Sequence, residues 1–381
     1  MIEVLLVFGV LAAIFVGINI GGSSTGVAFG PSVGSNLLSK PAAAALMTVF
    51  ALLGGWTVGR NVITTMGGKI VPAAEFTTTA SIIILFFIGL SLLISNLSGV
   101  PASTSMTAVG AIAGLGLATG TLNWEIMGQI MSWWLVAPSV AFLSGGVIGR
   151  YLYVHMDDFF HIGQSTGKLL RLEKSFRPVR MGEGTSYREL LSSFLVVGIA
   201  CYMAFSAGAS NVANAVAPLV GSRMLEMNPA ILLAVGAMSV GGFTIARKTL
   251  DTVGDGLTEL PLLASLIVST VSASIITVLS GMGIPASLAI SATMCIIGLG
   301  WGRASRTVKM KDTLKGETPE MNAAALNSKE KKEIGEETED DLPDRKLFKP
   351  DMISHVVTLW IMTPAISAVA SYLVFLLLQA F

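Results

Sequence analysis

Charge is what this chain has least of. Only 13% of its 381 residues are Asp, Glu, Lys or Arg, roughly half the share usual in a soluble domain. Hydrophobic residues make up 52%, and mean hydropathy is +0.73. That composition excludes a water-soluble globular fold. The 24 basic and 24 acidic residues cancel, so net charge offers nothing to attract a nucleic acid. Cysteine is nearly absent as well. Cys201 and Cys295 both lie in apolar segments. Two thiols define neither a disulfide scaffold nor a metal cluster, and each reads as a small buried hydrophobe. His155, His161 and His355 sit in or beside polar connections, which argues against a proton relay inside a membrane. No Ser/His/Asp set, His-Glu-x-x-His pair or Gly-Lys-Ser/Thr loop is present, so the chain is not read as an enzyme. The N-terminus is apolar from Val4 but carries Glu3 and no basic flank, as a first span does and a cleaved signal does not.

What is present is a series of apolar runs. Ten stretches are long enough, or nearly so, to cross a bilayer. They fall near 3–20, 41–58, 77–97, 101–120, 126–150, 188–208, 229–246, 261–281, 284–302 and 354–380. The 41 glycines suit helices that pack closely in lipid. Residues 151–187 are mixed in charge and are expected to form a surface helix. Residues 303–351 are rich in Lys and Glu and read as a solvated tether, with a partner-binding loop as the other reading. If all ten stretches cross, 21 of the 24 basic residues fall on one face, and only Arg60, Lys69 and Arg223 on the other. Basic loops stay in the cytoplasm. The expectation is a multi-pass protein of the cell membrane with both termini outside and the 151–187 and 303–351 loops inside.

The chain also repeats itself. Ser23-Ser24-Thr25 through Pro31 to Ser35 aligns with Ser210-Asn211-Val212 through Pro218 to Ser222, with 6 of 13 positions identical and a shift of 187. The same shift carries Arg60, Thr65 and Gly67 onto Arg247, Thr252 and Gly254. A third block, Leu97 to Ser103, echoes Leu279 to Ser287. Five segments separate equivalent points, so the copies run in opposite senses across the membrane. Residues 1–150 are expected to form the first repeat. Residues 151–187 connect it to the second, which comprises 188–302, the loop 303–351 and a last segment, 352–381. Duplication of this kind marks secondary transporters with a substrate site between the repeats. No charged ring or carbonyl-filter motif points to a channel. An anion channel and a transport-inactive sensor are the readings from other classes.

The repeated blocks are polar and broken by proline. Pro31 and Pro218 are expected to interrupt their helices and free backbone groups. Pro101 is placed to start a helix with Ser103, Thr104 and Ser105 in its first turn, where free N–H groups and hydroxyls can hold a tetrahedral oxyanion. Its counterpart, Pro285-Ala286-Ser287, continues with Leu288 and Ala289 in place of two hydroxyls. Any one hydroxyl also reads as helix packing, as do Gly22, Gly26, Gly30 and Gly34. The three blocks together read as a site. Arg60 and Arg247 close apolar spans, where snorkelling is the ordinary role and gating the alternative.

Asn211-Val212-Ala213-Asn214-Ala215 resembles the signature Gly-Ala-Asn-Asp-Val-Ala-Asn-Ala of the inorganic phosphate transporter (PiT) family. Pro101-Ala102-Ser103-Thr104-Ser105 resembles that family's Pro-x-Ser-Thr-Thr-His motif, and the blocks from Arg60 and Arg247 its Arg-Val-x-x-Thr-x-Gly segment. The resemblance implies an all-α polytopic protein of about ten (10–12) segments in inverted repeats, with interrupted or re-entrant helices at the centre. It also implies uptake of phosphate, or in some relatives sulfate, with sodium or protons. The signature Asp is Ser24 in one copy and Asn211 in the other, and the motif His is Met106. Each copy keeps what the other has lost. One asymmetric site is expected from Ser103, Thr104, Ser105, Asn211 and Asn214, with Ser23, Ser24, Ser210 and Ser287 nearby. Asn211 and Ser24 are candidate cation ligands, sodium being the coupling ion considered. No other cofactor is implied, and a homo-oligomer is compatible with the sequence. Phosphate is the family expectation. Sulfate is the alternative favoured by a site of donors without a carboxylate.

Overall fold

Each of the ten apolar stretches coincides with a helix. The computed structural model describes residues 2–35, 37–97, 103–160, 170–172, 179–181, 187–246, 250, 260–307 and 350–379. Gly99, Pro101, the echoing Arg247, Thr252 and Gly254, and the tether from residue 308 to 349 lie outside the described residues.

The helices are α1 (Ile2–Gly34), α2 (Lys40–Thr57), α3 (Gly59–Met66), α4 (Thr78–Leu97), α5 (Thr104–Thr119), α6 (Trp124–Val147), α7 (Tyr153–Phe160), α8 (Tyr187–Gly221), α9 (Met227–Thr244), α10 (Leu262–Gly281), α11 (Leu288–Ala304) and α12 (Pro350–Gln379). Among the described residues, seven spans are long and apolar enough to cross a membrane, and α2 with α3, bent by 61°, makes an eighth if the pair is one span. Helices α5 and α11, at 16 and 17 residues, are shorter. The surface helix expected over 151–187 is only partly there. A π-helical turn at Ile148–Leu152 joins α6 to α7, and a two-stranded antiparallel ribbon follows, pairing β1 (Leu170–Leu172) with β2 (Val179–Met181).

The breaks expected at Pro31 and Pro218 are not found. Helices α1 and α8 run unbroken through both motifs. Each proline sits in the last turn, where its missing N–H removes one hydrogen bond from a helix about to end. The chain then closes identically in both places. Ser35 N donates to Pro31 O at 3.0 Å and Ser222 N to Pro218 O at 3.0 Å. The interruption lies instead between α10 and α11. There Gly283, at φ +75°, turns an extended segment back into the bundle, a conformation open to glycine.

Packing follows the numbering of the repeats. Helix α1 lies on α9, and α2 lies on α8; α5 lies on α12, and α11 on α6. Gly21 is pressed against the Met238 carbonyl and Gly208 against the Ala51 carbonyl. Gly54 meets the Phe205 carbonyl and Gly241 the Ile18 carbonyl. Both members of each second contact are the first pair displaced by 187 positions. A methyl group at any of these glycines would overlap backbone. Within α1 the close contacts are made by Gly9, Gly17, Gly21 and Gly22.

Arginines counted as loop charges are built into the packing. Arg150, Arg303 and Arg306 are buried. Arg150 Nη1 donates to the carbonyl of Ser305 and, at 2.8 Å, to its Oγ, while Arg306 Nη1 donates to the Arg150 carbonyl at 2.9 Å. These bonds brace the end of α6 against the end of α11.

Candidate substrate site

Four segments converge inside the bundle. Ser23 and Ser24 come from α1, and Ser210, Asn211 and Asn214 from α8. Thr104 and Ser105 open α5, and Ser287 is the N-cap of α11. Ser23, Ser24, Val27, Thr104, Asn211, Ser287, Leu288 and Ala289 surround a cavity of about 30 Å³, room for roughly two water molecules.

One hydrogen-bonded chain joins the walls. Thr104 Oγ1 donates to Asn211 Oδ1 at 2.8 Å, and Asn211 Nδ2 donates to Ser24 Oγ at 3.2 Å. Asn214 Nδ2 donates both to Asn211 Oδ1 at 3.3 Å and to Ser105 Oγ at 3.2 Å. Ser105 and Ser210 hydroxyls lie 3.1 Å apart, and Ser210 Oγ donates to the Ala286 carbonyl at 2.9 Å. Since the Ser210 proton is committed to Ala286, Ser105 is the donor to Ser210. Ser105, Ser210 and Asn214 thus form a fully buried second layer behind the cavity.

The N-terminal ends of α5 and α11 both meet this cavity. Each brings unpaired first-turn N–H groups and a partial positive charge of roughly half an elementary unit. The caps differ. Ser287 Oγ accepts the Ile290 N–H at 3.3 Å, a normal N-cap bond. Ser103 holds the cap position of α5 without a side-chain cap bond, and its buried hydroxyl has no partner among the described residues. None of the eight lining residues is charged.

Most of the expected site is therefore brought together, with Ser103 set apart at its cap. Ser23 also lines the cavity, with its hydroxyl turned to the carbonyls of Asn19 and Ile20. Asn211 and Ser24, expected as cation ligands, bond to each other. Asn214 Oδ1 is the buried amide oxygen without a partner among the described residues. Val27, Leu288 and Ala289 were not expected in the lining, because apolar side chains carry no chemical signal. Leu288 and Ala289 are nevertheless the counterparts of Thr104 and Ser105. Asn96 was also unforeseen; its Nδ2 donates to Asn19 Oδ1 at 3.2 Å, one turn from Ser23. Trp134 Nε1 donates to the Pro285 carbonyl at 2.9 Å and Asn61 Nδ2 to the Gly281 carbonyl at 2.8 Å. The first fixes the extended segment that delivers Ser287, and the second fixes the end of α10 before it. Arg60 is half-buried and lies outside the site, stacked 4.8 Å from the Trp56 ring and bonded to Asn228 Oδ1 at 2.6 Å.

The profile of the Phosphate transporter family matches residues 20–371, a span that includes every residue of this cavity. The chain belongs to the phosphate transporter family. Among its relatives, the sulfate permease CysP of Bacillus subtilis (strain 168) is 28% identical over 306 residues, 80% of each chain. A protein named as a phosphate permease from Chlamydia muridarum (strain MoPn / Nigg) is 25% identical over 393 residues, 81% of this chain and 92% of its own. A solved structure titled as the sodium-dependent phosphate transporter superposes with a TM-score of 0.69 at 19% identity, covering 99% of this chain and all of that one. The family is one of membrane transporters, and the helical fold agrees with it.

Proposed function

We propose that this chain is a secondary active transporter that moves an inorganic oxyanion of the phosphate–sulfate class across the cell membrane by alternating access. The observation that carries this reading is the meeting of α5 and α11. Two helix N-termini from opposite halves of the chain face one small cavity, which Ser24, Thr104 and Asn211 also line. Hydroxyls, amides and helix dipoles suit an oxyanion, and a cavity with room for about two waters must widen to admit and release one. Residues 1–150 and 188–381, apart from the tether, act as inverted repeats about a pseudo-twofold axis. The cross-packing of α1 on α9 and α2 on α8 supports that plan. Both termini face outside and the 151–187 and 303–351 loops face the cytoplasm, following the basic residues.

Sodium is the coupling ion we favour. The relative of known structure is named as sodium-dependent, and sodium takes oxygen ligands such as the unpartnered Asn214 Oδ1 beside the site. Radiolabelled phosphate and sulfate uptake into proteoliposomes, with and without an inward sodium gradient, tests the proposal. Accumulation that needs the gradient and drops about 10- to 100-fold in Asn211→Ala is expected, the loss matching a hydrogen bond to a charged ligand. Uptake untouched by Asn211→Ala and Thr104→Ala would refute the site.

A further inference from the structure

Tetrahedral oxyanions differ near neutral pH in a way that a protein can read. Sulfate is fully deprotonated and only accepts hydrogen bonds. Phosphate keeps at least one P–OH, which must donate. The bonds around the cavity have a direction, so its free donors and acceptors can be told apart.

Asn211 Oδ1 stands where the family signature has a carboxylate. It already receives Thr104 Oγ1 at 2.8 Å and Asn214 Nδ2 at 3.3 Å, which fills both lone pairs. Ser24 Oγ receives Asn211 Nδ2, and Ser287 Oγ receives the Ile290 N–H. Each of those hydroxyls keeps a proton to give. Asn211 keeps its second amide hydrogen, and the first turn of α11 adds the N–H groups of Leu288 and Ala289. The side-chain acceptors left in the lining are neutral hydroxyl oxygens, those of Ser23 and Thr104 and the second lone pairs of Ser24 and Ser287, with no carboxylate among them. Behind them, the run of bonds from Asn214 through Ser105 and Ser210 to the Ala286 carbonyl supports this orientation of the amides, in which the Asn211 oxygen is engaged by Thr104 and Asn214.

Resting on the transport reading above, we infer that the site selects the fully deprotonated tetrahedral dianion, sulfate or its isostere selenate, over phosphate. A P–OH would meet at best a neutral hydroxyl where a carboxylate is needed, a handicap of about 10- to 100-fold in affinity.

The test is ligand binding to the purified full chain in detergent, by calorimetry and thermal shift, with the sodium salts of sulfate, selenate and phosphate near neutral pH. Sulfate and selenate should bind, with phosphate at least about tenfold weaker. Asn211→Asp restores an anionic acceptor and should cut the preference for sulfate about tenfold or more. Ser24→Asp, which places the acceptor on the opposite wall, should shift it the same way and covers the case in which Asn211→Asp does not fold. Phosphate binding as tightly as sulfate in the unaltered chain would overturn the selectivity while leaving the oxyanion site in place. So would an unchanged preference in both variants. Binding of neither anion would overturn the site itself, and the transport reading with it.

Discussion

Helices α5 and α11 enter the site in the same way and bring different chemistry to it. Each is shorter than the helices on either side of it, begins at a serine N-cap and aims its first turn at the cavity. From α5 come the hydroxyls of Thr104 and Ser105, one on the cavity and one behind it. From α11 come Leu288 and Ala289, which offer only backbone N–H groups and apolar surface. The crossing helices reverse this bias. Helix α8 supplies the Asn211–Asn214 pair, whereas α1 has Ser24 and Val27 at the matching positions. The two sequence repeats have thus divided their side-chain chemistry, so that one cavity takes polar groups from both.

Several changes would break or sharpen that division. The largest effect is expected from Gly208→Val. Its side chain would collide with the Ala51 carbonyl and drive α8 off α2, an overpacking cost of about 3 kcal/mol or more. Loss of the monodisperse peak in fluorescence-detected size exclusion is the expected result. Leu288→Thr would make α11 resemble α5 by adding a hydroxyl to the cavity wall. A further hydrogen bond to a bound dianion should tighten sulfate by about tenfold, measured by calorimetry; unchanged affinity would mean that this wall does not touch the anion. The smallest effect is expected from Trp134→Phe, which removes the bond to the Pro285 carbonyl and costs about 1 kcal/mol. The extended segment would hold Ser287 less firmly, so the KM for uptake should rise about two- to fivefold with little change in maximal rate.

Much of this was legible in the sequence because proline and hydroxyl residues recur at a fixed spacing. The recurrence marked α1, α8, α5 and α11 as the site-bearing elements and picked out Thr104, Ser24 and Asn211. The breaks assigned to Pro31 and Pro218 failed because the effect of a proline depends on its distance from the helix end, and here only the last turn bears it. Leu288 and Ala289 were missed as lining because their contribution is backbone N–H, which every non-proline residue carries. The burial of Arg150, Arg303 and Arg306 could not be read from charge. For Arg150 and Arg306 it goes with bonds between two chain segments more than 150 positions apart.

The four glycine–carbonyl contacts between α1 and α9 and between α2 and α8 also bear on how such a protein is made and inherited. The first 150 residues expose two glycine-lined grooves that nothing in that half fills; the helices that fill them emerge later from the ribosome. Each half is a lock whose key is the other. A glycine and the carbonyl it admits, though far apart in the gene, have to be inherited together.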